Sequence, residues 1–181
     1  MSGLRILPTI ALTMALGFAA HSSAAGASSD VRLHIQGHLG GGSGLDIEVP
    51  WTPDKADSPF NFTGDACDRV SVERLRGAWT TLQRLPEGET VTIRTRSEKV
   101  LASRQSGYLV LEPQPDHGDD HHARVKIPDY IVRTFLANDG RIADRDVDRL
   151  VRERGKVTLV KISSDVGGCS VWLDHAGERS D

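Results

Sequence analysis

Ala123-Arg124-Val125-Lys126-Ile127-Pro128 opens the stretch that decides the fold. It continues through a helical run, Gly155, Val157-Thr158-Leu159 and a closing Val171-Trp172-Leu173-Asp174. Most of this pattern has already appeared once. Upstream, Asp46-Ile47-Glu48-Val49-Pro50 leads into a helical run, a glycine, Val91-Thr92-Ile93 and Leu109-Val110-Leu111-Glu112. The repetition predicts an α+β fold of two related β-α-β-β lobes, with antiparallel sheets packed by short helices. Val49 then corresponds to Ile127, Val91 to Val157, Leu109 to Val171 and Leu111 to Leu173. The first lobe spans residues 25–113 and the second 123–181.

Working outward, Val31, Leu33 and Ile35 alternate with Arg32, His34 and Gln36, the period of a half-buried strand. The glycine run from Gly40 to Gly44 suits a reversal before Leu45, Ile47 and Val49. No Gly-Lys-Ser/Thr follows it, so it is not a phosphate cradle. Val72, Leu75, Trp79 and Leu82 recur at spacings of three and four, one apolar face of a helix that begins after Ser71. Ile131, Val132, Phe135 and Leu136 mark a second helix. Val147, Leu150 and Val151 mark a third, capped by Asp144 or Asp146. Charged residues alternating with apolar ones argue for sheets with one wet face.

The first 24 residues read as a signal peptide. Arg5 gives a positive start, Ile6 to Ala20 an apolar stretch too short to span a bilayer, and Ser22-Ser23-Ala24-Ala25 a small-residue cleavage site. Export, to the bacterial periplasm or surface, is therefore expected. No stable transmembrane segment is expected after processing. The formal net charge of −3 and the lack of Lys/Arg blocks interleaved with aromatics exclude a nucleic-acid reader. Export also permits a disulfide between Cys67 and Cys169, which would clamp the two lobes together.

Residues 114–122 join the lobes as a His/Asp-rich loop or linker. Asp116, His117, Asp119, Asp120, His121 and His122 supply imidazole and carboxylate ligands for zinc, nickel or copper. Neighbouring ligands on a flexible chain do not preset tetrahedral geometry, so this tract carries only the alternative reading, a divalent-metal-binding periplasmic protein. Asp139-Gly140, with Asp146 six residues on, imitates the second half of a calcium loop. The first and third places of that loop fall on Phe135 and Ala137, which bring no oxygen. A turn between two helices accounts for the same residues. No serine stands in a Gly-x-Ser-x-Gly elbow, which leaves an exported hydrolase a distant third. No catalytic residues and no cofactor are assigned. The candidate binding surface is aromatic: Trp51, Phe60 and Phe62 in a proline-containing loop, and Trp172, which alternation places on the strand face opposite Val171 and Leu173.

The second half carries a family likeness. Val125-Lys-Ile-Pro-Asp-Tyr-Ile-Val132, Gly140-Arg-Ile142, Val147-Asp-Arg-Leu-Val-Arg152, Gly155 and Val171-Trp-Leu173 resemble a small domain of bacterial envelope-stress and adhesin-like surface proteins. In that group a Val-x-Ile-Pro strand enters a helix, followed by a glycine turn, an Asp-initiated helix and a closing strand pair. The resemblance covers residues 124–174 and implies envelope sensing or protein contact, with no catalytic residues. The chain is accordingly expected to be a non-catalytic exported module that contacts a protein or an envelope component.

Overall fold

The computed structural model describes residues 30–39, 44–51, 72–94, 99–114, 123–140 and 142–176. Among them eight strands and three helices form one mixed α+β unit. The strands are β1 (Val31–Leu39), β2 (Gly44–Pro50), β3 (Thr90–Arg94), β4 (Lys99–Gln105), β5 (Tyr108–Gln114), β6 (Ala123–Pro128), β7 (Val157–Ser164) and β8 (Gly167–His175). The helices are α1 (Val72–Leu82), α2 (Asp129–Ala137) and α3 (Asp144–Arg154). All strands join one antiparallel sheet in the order β2-β1-β8-β7-β6-β5-β4-β3.

Alternation decides which side chains form the core. Ile47, Ile35, Val171 and Val160 lie in one cross-strand row, and Val125, Leu111, Ala102 and Val91 in another. These rows face the helices. An irregularity between Thr158 and Val160 shifts the β7–β8 register, and the residue between, Leu159, is also buried in the core. The helices follow one another along the sheet: α1 over β3 and β4, α2 over β5 and β6, α3 over β7 and β8. Their main packing stops at β8. The apolar side chains of β2, Leu45, Ile47 and Val49, are only partly buried against the core.

The paired-lobe repeat is not confirmed by this topology. β6 and β7 are sheet neighbours, whereas β2 and β3, their counterparts, lie on opposite edges. The supposed strand pair of the first half also contains a third strand, β4, between β3 and β5. The similar Val-Pro and Ile-Pro endings have different local roles. Pro50 ends an edge strand, while Pro128 sits at φ −56° and ψ 139° as the residue before the first turn of α2. Such a residue has extended backbone and launches the helix. β5 and β6 pair directly, Leu111 opposite Val125, so residues 115–122 connect neighbouring strands of one sheet. Those residues themselves, like 1–24, lie outside the described part.

The Cys67–Cys169 bridge is not formed. Cys169 is a free thiol, half-buried where β8 lies opposite Gly37 of β1, and it packs against the core. A Cβ added at Gly37 would lie 3.6 Å from the Cys169 Cβ and 3.0 Å from the Gly168 carbonyl oxygen, so the glycine leaves room for the thiol inside the sheet. Burial pushes this thiol's pKa up, which disfavours the reactive thiolate. Cys67 lies outside the described residues.

The turn from α2 to α3 fixes the helix layer. Arg76 of α1 donates to the Leu136 carbonyl at 3.0 Å and to Asp139 Oδ1 at 2.8 Å, joining α1 to the C-terminus of α2. Asp146 does not use its side chain as a cap. Its two oxygens accept from Asn138 and Arg149, each at 2.9 Å, and Ala143 holds the capping position without a side-chain bond. These partners account for the acids that resembled a calcium loop. Gly140 has φ +86°, and a Cβ there would fall 2.4 Å from Val72 Cγ2. Gly140→Ala should therefore destabilise the chain by roughly 2 kcal/mol. Gly77→Ala, in a helix with nothing within 4 Å of the new Cβ, should stabilise it by about 0.5–1 kcal/mol. Thermal melts of the two variants should move in opposite directions, and equal shifts would contradict the packing of Gly140 on Val72.

Candidate functional site

The face of the sheet turned away from the described helices, here the helix-free face, holds the main polar constellation among the described residues. Its central ring is Trp172, on β8, with His34 opposite on β1 and Thr158 opposite on β7. The period of two places Asp174 on the same face. The His34 ring lies flat against Trp172, with centroids 5.1 Å apart and planes 2° from parallel. Lys156, just before β7, places Nζ 4.1 Å from the Trp172 ring centroid, a cation over an electron-rich face. Because β8 runs between β1 and β7, the two partners approach the indole from opposite flanks.

Asp174 ties the cluster together. Its side chain accepts from His34 Nε2 at 2.8 Å through Oδ1 and from Trp172 Nε1 at 3.2 Å through Oδ2. The residue is 3% exposed. Both carboxylate oxygens thus meet ring nitrogens, so the desolvation that burial imposes is offset by directed hydrogen bonds. The arrangement is closed on itself: ring face on ring face, N–H on carboxylate, cation on the remaining flank. Chemically it is a polar clamp between β1 and β8, the strands from the two ends of the described chain.

The sequence-derived candidates distribute differently. Trp51 is 5% exposed and belongs to the hydrophobic core, with its backbone N–H donating to the Val31 carbonyl at 2.9 Å. Trp172 is on the face opposite Val171 and Leu173, as alternation requires, but is 8% exposed beneath His34 and Lys156. Neither ring is open to solvent, and the structure does not bring the two together as one surface. Phe60 and Phe62 lie outside the described residues, as do Asp116, His117, Asp119, Asp120, His121 and His122. Among the described residues no cluster of three or more His, Cys, Asp or Glu side chains is placed to hold a metal. Also among them, no helix is long and apolar enough to cross a membrane.

His34, Asp174 and Lys156 were not singled out from the sequence. Part of the signal was there, since His34 alternates against Val31, Leu33 and Ile35, and Asp174 stands two places from Trp172. What alternation lacks is the knowledge that β1 pairs with β8.

A second feature concerns the sheet's margins. Asp46 and Glu48 are exposed on the helix-free face of edge strand β2. Glu48 has only a loose ion pair, 3.9 Å from Arg32 Nε, and Asp46 makes no ion pair among the described residues. At the other margin, Arg74 of α1 donates to the Arg94 carbonyl of β3 at 2.7 Å. Elsewhere, burial raises the pKa of the Tyr130 hydroxyl, which donates to the Thr158 carbonyl at 3.0 Å, while the Arg154 guanidinium over its ring opposes the shift.

Compared with family models, curated proteins and solved structures, the chain matches none. The likeness of residues 124–174 to envelope surface proteins thus receives no support from these comparisons.

Proposed function

We propose that this chain is a non-catalytic exported binding module, working in the periplasm or at the cell surface by contacting a protein or an envelope component. The observation that carries the reading is the margin of the sheet at β2, which is open among the described residues. β2 runs for seven residues with a single strand neighbour among the described residues. It has no internal proline and its register with β1 is unbroken. Natural sheets usually blunt or cover such margins, because unpaired N–H and C=O groups recruit other chains. A strand that retains them has the main-chain groups needed for strand addition. The closed His34–Asp174–Trp172 network supports the same reading, since its hydrogen-bonding groups hold strands together rather than face a substrate.

The test is a photocrosslinking scan in cells expressing the full chain. A photoreactive residue is placed in turn at Asp46 and Glu48 on β2, Thr92 on β3, Thr80 on α1 and Val166 in the β7–β8 turn. The reading expects the protein in the exported fraction and a discrete crosslinked product from at least one position. Retention in the cytoplasm, or no discrete product from any position, would overturn it.

A further inference from the structure

Resting on the reading of the chain as a binding module, we infer that β2 accepts an extended peptide strand of another protein, with basic residues at alternate positions and apolar residues between them. Three features of β2 define that partner. Every second residue of an antiparallel edge strand turns its N–H and C=O away from its one neighbour, so an incoming chain finds a ready ladder. On the helix-free face the strand presents Asp46 and Glu48, both exposed. On the helix face it presents Leu45, Ile47 and Val49, half-buried at the margin where the main helix packing has already stopped. A strand laid beside β2 would place basic side chains opposite the two acids and apolar side chains beside the incomplete row. Opposite charges directly across a strand pair are favourable, and like charges unfavourable.

The same acids argue against a second copy of this chain as occupant. Antiparallel pairing of two β2 strands about Ile47 places Asp46 opposite Glu48 on both sides of the axis. Registers centred on Asp46 or Glu48 place an acid opposite itself. These registers, which overlap most of β2 and keep both helix layers on one side of the joint sheet, therefore suffer repulsion. The opposite margin fits the role less well. β3 has five residues, α1 packs against it, and Arg74 already occupies the Arg94 carbonyl.

Fluorescence anisotropy with two labelled, end-capped peptides, one alternating Lys with Val and one alternating Glu with Val, tests the inference on the full chain. The Lys–Val peptide should bind and the Glu–Val peptide should not. The double variant Asp46→Lys/Glu48→Lys changes only exposed side chains and should reverse the preference, with about a tenfold change for each peptide. Melting curves check that the variant remains folded. N-methylation of alternate Lys–Val backbone amides should abolish binding if a ladder forms; adsorption by charge alone would persist. No binding of the Lys–Val peptide, binding indifferent to the charge reversal, or binding that survives N-methylation would overturn the assignment. Crosslinks from positions away from β2 alongside such a result would leave the binding-module reading standing, whereas absence of all crosslinks would remove both.

Discussion

Leu33→Ala should lower the unfolding free energy by roughly 2–5 kcal/mol, the range for truncating a large aliphatic side chain in a packed core. Leu33 is 1% exposed and stands in β1 between Val49 of β2 and Leu173 of β8. Nothing nearby can refill the space without moving one of three strands. The effect is a large share of the ~5–15 kcal/mol that holds a typical domain folded. It should appear in urea titrations as a lower midpoint with little change in slope. Val166→Ala provides the contrast: at 40% exposure in the β7–β8 turn it should shift stability by no more than about 0.5 kcal/mol. Similar losses from the two substitutions would mean that β1 is not an interior strand.

Asp174→Ala should cost a comparable amount, roughly 2–4 kcal/mol, for a different reason. The substitution leaves His34 Nε2 and Trp172 Nε1 without their acceptor in a buried setting, and an orphaned polar group there forfeits more than a surface bond would. Tryptophan fluorescence should also change, because Trp172 loses its hydrogen bond. A double-mutant cycle with His34→Ala isolates the contact, and its coupling energy should be about 1–2 kcal/mol. Additive losses would show that His34 and Asp174 do not act on one another.

Much of the local structure was legible in the chain. Spacings of three and four marked Val72 to Leu82 and Ile131 to Leu136 as helical, and alternation marked Leu33, Ile47 and Val171 as inward. β4 is not announced by the sequence because its pattern is mixed. Val100 and Ala102 share the inner face with Arg104, while apolar Leu101 lies on the other. Arg104 is tolerated there because it reaches out of the core, donating to the Leu82 carbonyl at 3.3 Å with its guanidinium 6.0 Å from the Trp79 ring.

Sheet order was not legible, for a physical reason. Alternation reports which way a side chain points and is silent about which strand lies beside it. β1 pairs with β8 from the far end of the described chain, and His34 and Asp174 stand 140 positions apart, so no local pattern announces their clamp. The expected lobes rested on two similar strand–proline endings, and their roles diverged once Pro128 opened a helix and Pro50 closed an edge. The expected disulfide rested on compartment alone, whereas Cys169 occupies a core-facing place that Gly37 makes room for.

Amide hydrogen exchange of the full chain, with and without saturating Lys–Val peptide, bears most directly on the claim that this sheet binds through its margin. Strand addition should slow exchange at alternate residues within Gly44–Pro50 and leave Thr90–Arg94 unchanged. Unchanged exchange across Gly44–Pro50, or slowing at Thr90–Arg94 in its place, would contradict the account.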